Sequence, residues 1–416
     1  MAFSLIKMYR DAFSGLSREI WLLSGAIFIN RAGSMVIPFL SLYLTESQGF
    51  SLVEAGWILS CFGGGSILGS WLGGRLTDRL GYYPVMVASL AGSAFMFWVL
   101  MQLSGFIPLC IGIFMVSVIT DSFRPANYVA IDAYTKPENR TRSIGLVRFA
   151  INLGFSAGPA VGGWLIYSLG YKWLFFLDGA TCLGAAIWLW IALSPKTAPD
   201  KSDDNKSDKA PEKPTGFASP WQDRVFLGFL LAQLLVSIAF IQNFNTAPLF
   251  FKSEMGMDEF EIGMLIGLNG VLIVLFEMPL IHYFESKRSP ISMVRIGTLL
   301  LTASFAFLLW PDAGILIAVV YMVWLTFGEM VNFPFGNTFV LFRTREDNRG
   351  RYMGLYSMIW SVCHIIGPSL GTWLAETIGF RGLWACMTVL CLLSLVFIWR
   401  VPSTMPETAK SEKVNV

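Results

Sequence analysis

Three acidic side chains interrupt long apolar stretches of this sequence: Asp121, Glu277 and Glu329. A charged side chain at the centre of a bilayer costs roughly 3 kcal/mol on insertion scales, so such groups face a cavity or a partner. No lysine or arginine of the same half is expected at the depth of Glu277 and Glu329. An isolated carboxylate of this kind can hold and release a proton. We therefore expect the three acids to be proton-carrier candidates, unless each is only hydrogen-bonded to a neighbouring helix.

Basic and amide side chains lie in the same apolar stretches. Asp121 and Arg124 are three residues apart, so they can share a helix face and form an ion pair. That pair either neutralises charge within the structure or takes part in binding or coupling. The other predicted residues of a polar cavity are Asn30, Arg31, Arg148, Asn152 and Trp360.

The composition places these residues in a membrane. Hydrophobic residues make up 55% of the 416 residues, charged residues 14%, and the mean hydropathy is +0.59, which excludes an ordinary soluble protein. Stretches of about 20 apolar residues are long enough to cross a bilayer as helix. We predict twelve such helices, named one to twelve, at 20–44, 52–72, 84–103, 108–134, 144–167, 173–193, 225–250, 262–283, 291–310, 313–342, 352–375 and 383–401.

Charge distribution indicates the orientation and the domains. Placing both termini in the cytoplasm puts most of the 30 basic residues on that side, as the positive-inside rule requires. The net charge of +2 thus reflects topology, and no nucleic-acid partner is expected. The predicted divisions are an N-terminal bundle at 1–194, a cytoplasmic linker at 195–222, a C-terminal bundle at 223–403 and a cytoplasmic tail at 404–416. The six cysteines show no metal-ligand spacing, so we expect them to pack in helices and predict neither a metal nor a cofactor.

An internal repeat links the two halves. Gly158-Pro159 in helix five recurs as Gly367-Pro368 in helix eleven, and Gly162 recurs as Gly371. Repeats of this kind build many secondary transporters. The repeat predicts two related six-helix bundles.

The segment after helix two, Gly73-Gly74-Arg75-Leu76-Thr77-Asp78-Arg79-Leu80-Gly81, resembles the G-x-x-x-D-R-x-G loop of the major facilitator superfamily. We expect Gly74 to let two helices approach, Asp78 to face a basic group or a helix N-terminus, and Gly81 to permit the turn. Tyr82-Tyr83 stand where the family usually has basic residues, which leaves Arg79, or a basic residue of the next cytoplasmic loop, to face Asp132. The predicted cytoplasmic latch comprises Gly74, Asp78, Arg79, Gly81 and Asp132.

Helix five carries a second motif, formed by Gly154, Gly158, Pro159, Gly162 and Gly163. It resembles the G-x-x-x-G-P-x-x-G-G sequence of facilitator-superfamily antiporters, particularly of the bacterial multidrug:proton branch. Small residues four apart allow close helix contact in lipid, and proline adds a kink. The motif therefore indicates either antiport or helix packing alone.

The resemblance implies an all-α membrane protein with twelve transmembrane helices in two pseudo-symmetric six-helix bundles. Its implied function is secondary active transport of a small organic or amphipathic solute, with protons exchanged for exported substrate, in the bacterial cytoplasmic (inner) membrane. We expect a monomer. We expect no enzymatic activity, because the sequence shows no nucleophile-base set and no nucleotide loop. The alternative is a proton-coupled symporter of peptides or related nutrients, since Asn30-Arg31 and Asn152 match fragments of oligopeptide-transporter signatures. The paired glutamates expected before the helix-one arginine are absent.

Overall fold

The computed structural model describes residues 15–135, 139–195, 219–285, 287–310, 314–344 and 349–402. Regular structure in these ranges is helical, without strands. Eleven helices there are long and apolar enough to cross a membrane, and the last of them, Arg351–Trp399, contains both helix eleven and helix twelve. The two are separated at Gly379, whose φ of 74° favours glycine. The predicted twelve-helix plan is confirmed.

The helices of the first half agree with prediction in number and order. Helix one consists of Arg18–Ala32 and Val36–Leu42, followed by a π-helical turn at Tyr43–Ser47. The remaining helices, two to six, are Leu52–Leu80, Tyr82–Leu100, Phe106–Tyr134, Arg140–Leu169 and Lys172–Ala192.

The second half repeats this order. Helix seven consists of Arg224–Asn245 and Ala247–Ser253 and is preceded by a 3₁₀ turn at Pro220–Gln222. Helices eight, nine and ten are Glu259–Glu285, Pro290–Phe307 and Ile315–Arg343, and helices eleven and twelve occupy Arg349–Trp399. Most of the predicted linker and the whole tail at 404–416 lie outside the described residues.

The chain forms two compact units. Unit 1 comprises 1–48, 61–206 and 258–271, and unit 2 comprises 49–60, 207–257 and 272–416. The core of unit 1 joins helices one, three, four, five and six through residues such as Leu23, Met86, Ala130, Leu146 and Ala185. The core of unit 2 joins helices seven, nine, ten, eleven and twelve through residues such as Phe229, Val294, Phe335, Tyr356 and Ile398.

Helices two and four of unit 1 meet along a stripe of glycines. An added Cβ at Gly69 would lie 2.9 Å from the Cα of Val118, and one at Gly73 would lie 2.6 Å from the Cα of Ser122. The spacing of four residues is that of small-residue contacts between membrane helices. A Cβ on Gly74 would meet no atom of the described residues within 4 Å, so the close approach predicted for Gly74 was wrong. Its neighbour Gly73 faces helix four.

Candidate functional site

Helix one of unit 1 is interrupted in the region of its polar residues. The first half ends at Ala32, and the second begins at Val36 after Gly33 and Ser34. The backbone N–H groups of Met35 and Val36 donate to Oδ1 and Oδ2 of Asp178, at 2.9 and 3.0 Å. Because the first N–H groups of a helix have no partner within it, the carboxylate of Asp178 from helix six caps the second half.

The glycine motif of helix five packs against this interruption. A Cβ on Gly154 would lie 2.5 Å from Cβ of Arg31 and 2.8 Å from the backbone nitrogen of Ala32. A Cβ on Gly158 would lie 3.0 Å from the carbonyl oxygen of Ala32, and one on Gly162 would lie 3.1 Å from Cβ of Met35. The three glycines are therefore needed for the close approach of helix five to helix one.

Unit 2 contains the duplicated version of this contact. Gly367 and Gly371 of helix eleven face Ile241 and Gln242 of helix seven. The side-chain amide of Gln242 donates to the carbonyl oxygen of Gly367 at 2.9 Å, close to the break of helix seven at Thr246. The same backbone packing thus carries a neutral amide in unit 2 and a cation, Arg31, in unit 1.

Arg31 occupies the last turn of the first half of helix one. Its guanidinium lies 5.4 Å from the centre of the Phe155 ring and within electrostatic range of Arg124 and Asp121. Its Nε is buried and has no hydrogen-bond partner among the described residues. The amide of the preceding Asn30 lies 3.3 Å from Sγ of Cys182.

Asp121 and Arg124 form the ion pair that their spacing predicts. Nη2 of Arg124 donates to Oδ1 of Asp121 at 2.9 Å. The side chain of Arg124 is 58% exposed and that of Asp121 is 12% exposed, so the acid is the buried member. Oδ2 of Asp121 is also buried and has no hydrogen-bond partner among the described residues.

The other predicted cavity residues are divided between the two units. Arg148 is exposed and Asn152 is half-buried on helix five, and both interact with other groups. Trp360 belongs to unit 2, where its ring packs against Phe240 and Phe333. Unit 1 therefore contains all the predicted cavity residues except Trp360, which lies in unit 2.

The two predicted proton-carrier acids of the second half lie at least partly inside unit 2. Glu277 is 7% exposed and Glu329 is half-buried. Each has an interaction with another group, which is compatible with the alternative of a carboxylate hydrogen-bonded to a neighbouring helix. Their candidacy as proton carriers now depends on what protonation does to those interactions.

The C-terminal end of the helix-five motif contacts the first part of helix eight, within unit 1. A Cβ on Gly163 would clash with the carbonyl oxygen of Glu259, and one on Gly263 would clash with the carbonyl oxygen of Pro159. Both glycines are therefore required where the two backbones meet.

A family model for the Major Facilitator Superfamily matches residues 22–368 and 333–415. The chain belongs to the major facilitator superfamily. Its relatives include an MFS-type transporter of Bacillus subtilis, 25% identical with 83% of each chain covered, and Multidrug resistance protein 1 of the same organism. The latter is 24% identical, with 89% of this chain and 92% of the relative covered.

Solved structures share this facilitator fold at low identity. The structure of a peptide transporter, POT, is 14% identical with a TM-score of 0.78, covering 95% of this chain and 97% of that one. A bacterial homologue of the human lysosomal transporter Spinster is 15% identical with a TM-score of 0.73, covering 92% and 96%. At these identities the likeness extends to the fold alone.

The facilitator-type loop after helix two lies at the surface. Asp78, Arg79 and Asp132 are exposed, and Gly81 has a φ of 85°, so the turn predicted there is present. The structure gives no hydrogen bond or ion pair between Asp78 or Arg79 and another described residue. Their action as a latch remains a prediction.

Sequence reasoning missed the buried ion pair of Asp223 and Arg343 in unit 2. Nε and Nη2 of Arg343 donate to Oδ2 and Oδ1 of Asp223 at 2.9 and 2.7 Å. Asp223 also caps helix seven by accepting from the N–H of Phe226 at 3.0 Å. Its position just before an apolar run was a capping signal, but nothing in the sequence pointed to Arg343. Among the described residues, no group of three or more metal-ligating side chains occurs.

Proposed function

We propose that this facilitator exports a small organic or amphipathic solute in exchange for protons, by alternating access. The names of relatives such as Multidrug resistance protein 1 support export, and the helix-five motif supports antiport. The protein would act in the bacterial cytoplasmic (inner) membrane as a monomer with both termini in the cytoplasm.

The observation that carries this proposal is the half-satisfied carboxylate of Asp121. One oxygen binds Arg124, while the other is buried without a hydrogen-bond partner among the described residues. Buried polar atoms are rarely left unsatisfied, so a proton or a substrate donor is expected to reach Oδ2 at some stage of transport. Protonation would also weaken the attraction to Arg124, which makes the state of the ion pair depend on the proton.

Exchange then follows from competition for the same carboxylate. Ionised Asp121 binds Arg124 and can accept a hydrogen bond from a substrate. Protonated Asp121 binds both more weakly. Substrate release would accompany proton uptake on one side, and proton release would accompany substrate binding on the other. Glu329 and Glu277 remain secondary candidates, because protonation there would alter interactions that already exist.

The test uses purified protein in proteoliposomes with a pH dye inside. Amphipathic amines, neutral compounds and carboxylates are added outside, and we expect at least one class to make the lumen alkaline as protons leave. Asp121→Asn should abolish this exchange while the protein remains folded and monodisperse. Glu254→Gln, which neutralises an exposed acid, is the matched control. Full activity of Asp121→Asn would contradict the assignment.

The symporter alternative has one favourable observation. Arg31 of helix one makes no ion pair with a described carboxylate and could bind the carboxylate of a nutrient. Symport requires protons to enter with substrate. Acidification of the lumen on addition of small peptides would therefore support symport and overturn export by antiport.

A further inference from the structure

Arg31 is a half-buried cation of unit 1 that has no bonded carboxylate among the described residues. Its Nε is buried and has no hydrogen-bond partner in the part of the chain that the structure describes. The ring of Phe155, 5.4 Å away, covers one face of the guanidinium but accepts no N–H in its plane. A charged arginine without a bonded anion is costly inside a membrane protein. We therefore expect an anion to bind at this position.

The carboxylates of Asp178 and Asp121 bind groups other than Arg31. Both oxygens of Asp178 accept backbone N–H groups of helix one, at 2.9 and 3.0 Å. Oδ1 of Asp121 binds Arg124 at 2.9 Å. Arg31, Arg124 and Asp121 interact electrostatically, and together they carry a net charge of +1.

One donor and one acceptor of these residues have no hydrogen-bond partner among the described residues. Nε of Arg31 is a buried donor and Oδ2 of Asp121 is a buried acceptor, and they do not bond to each other. The arginine is also held in place by its backbone, because Gly154 of helix five packs directly against it. A ligand that offers an acceptor to Arg31 and a donor to Asp121 would satisfy both atoms and neutralise the surplus charge.

We propose that Arg31 and Asp121 form a subsite for an organic anion that carries a hydrogen-bond donor next to its carboxylate or phosphate group. The inference rests on the proposed function and defines its substrate class: acidic or zwitterionic compounds are preferred to simple organic cations. It also gives exchange a structural basis, because the ligand's donor occupies the Asp121 oxygen that a proton would otherwise take.

The same chemistry could be supplied by the headgroup of an anionic lipid. Phosphatidylglycerol has a phosphate and neighbouring hydroxyl donors, as the subsite requires. Binding experiments are therefore done in nanodiscs of phosphatidylcholine alone and repeated with phosphatidylglycerol added. Competition that depends on Arg31 would identify the lipid headgroup as an occupant of the same subsite and would support the proposal.

The probes are three dansyl compounds with one ring system and different charge. Dansylglycine has a carboxylate beside a sulfonamide N–H, its methyl ester keeps the N–H without the charge, and dansylcadaverine ends in an ammonium group. We expect saturable fluorescence binding of dansylglycine to the wild-type protein, with the ester at least about 10-fold weaker, since a bond to a charged group is worth a factor of this size. This comparison needs no variant and so does not depend on folding.

The variants assign the effect to the proposed residue. Arg31→Gln should weaken dansylglycine binding about 10-fold or more and leave binding of the ester unchanged. The affinity of Arg31→Lys for dansylglycine should lie between those of the wild type and Arg31→Gln, because lysine keeps the charge without the planar donors. Arg381→Gln, which removes an exposed arginine of unit 2, is the matched control. Equal binding of acid and ester, or unchanged binding by Arg31→Gln, would overturn the subsite, as would no saturable binding of dansylglycine up to millimolar concentration.

Proteoliposomes made from the same preparations separate this inference from the proposed function. If dansylcadaverine drives proton exchange and dansylglycine neither binds nor exchanges, the anion subsite is wrong and proton antiport stands. If dansylglycine binds through Arg31 but no solute drives proton exchange, the subsite stands and antiport is wrong.

Discussion

Asp223 and Arg343 join the start of helix seven to the end of helix ten through two parallel hydrogen bonds of 2.9 and 2.7 Å. Asp223 is 1% exposed, and the hydroxyl of Tyr352 on helix eleven lies 3.4 Å from the same carboxylate. Three helices of unit 2 therefore meet at one buried acid. Because removing one member leaves the other charge without a partner, this pair is a sensitive point of the fold.

Asp223→Asn should destabilise the protein by about 3 kcal/mol, the cost of breaking a buried ion pair from one side. The measurement is thermal unfolding in neutral detergent, followed by tryptophan fluorescence. Arg224→Gln changes the exposed neighbouring residue and should shift the midpoint little. An equal loss of stability in Asp223→Asn and Arg224→Gln would mean that the net charge near the helix ends, and not this ion pair, stabilises the protein.

Asp178→Asn should loosen the second half of helix one. An asparagine oxygen can accept from only one of the two N–H groups of Met35 and Val36. The N–H of Met35 also donates to the carbonyl oxygen of Gly33 at 2.8 Å, so the cost of about 1–3 kcal/mol arises where Val36 loses its acceptor. Hydrogen exchange measured by mass spectrometry should be faster in the peptide that covers 33–42. Lys172→Gln, an exposed change on the same helix, should leave that peptide as in the wild type. Unchanged exchange in Asp178→Asn would remove the capping role.

The sequence predicted the helical plan well because hydrophobic length and the glycine repeat are local signals. Gly158 and Gly367 pack in corresponding ways in their two units, as duplication requires. Contacts between distant positions were not predictable in this way, since Asp178 and Val36 are 142 residues apart and Asp223 and Arg343 are 120 apart. No periodicity encodes which acid meets which backbone or arginine.

The choice between adjacent residues was another limit of sequence reasoning. Gly73 and Gly74 fit the loop motif equally well, but only Gly73 continues the four-residue spacing of Gly65 and Gly69 toward helix four. That spacing was visible in the sequence and would have identified the correct glycine. The break of helix one was less visible, because Gly33-Ser34 is not by itself a strong interruption signal.

The stability of unit 1 should respond to alkaline pH through Tyr171, which lies between helices five and six. Its hydroxyl donates to Oε2 of Glu46 at 2.7 Å and lies 3.4 Å from Oε1 of Glu259. Burial, and then the bond to Glu46 and its charge, raise the pKa of Tyr171 above its usual range. The folded protein therefore retains this proton when the unfolded chain loses it, and the stabilisation is fully present below the unfolded pKa of about 10 and lost as pH rises above it.

The corresponding experiment compares thermal midpoints of the wild type and Tyr171→Phe from pH 7 to alkaline pH. The wild type should be more stable by a constant amount up to about pH 10, and its advantage should then shrink by about 1.4 kcal/mol per pH unit. Tyr167→Phe removes an exposed hydroxyl nearby in sequence and supplies the baseline. A difference that grows with pH would give the opposite sign and contradict the assignment.

Gly154→Ala should damage both stability and the site around Arg31. The added methyl group would lie 2.5 Å from Cβ of Arg31 and 2.8 Å from the backbone nitrogen of Ala32, so helices one and five must separate. Overpacking of this kind costs about 1–3 kcal/mol, more than the helix propensity gained by replacing glycine, at most about 1 kcal/mol. Thermal unfolding should show a net loss, and the displacement of Arg31 should weaken dansylglycine binding.

Gly228→Ala is the matched control for this change, because a Cβ there meets no atom of the described residues within 4 Å. Only the gain in helix propensity is then expected. Its midpoint should equal or exceed that of the wild type, with binding unchanged. If Gly154→Ala were as stable as Gly228→Ala and bound dansylglycine normally, helix five would not need glycine at this contact. The first glycine of the motif would then have no part in holding Arg31 in position.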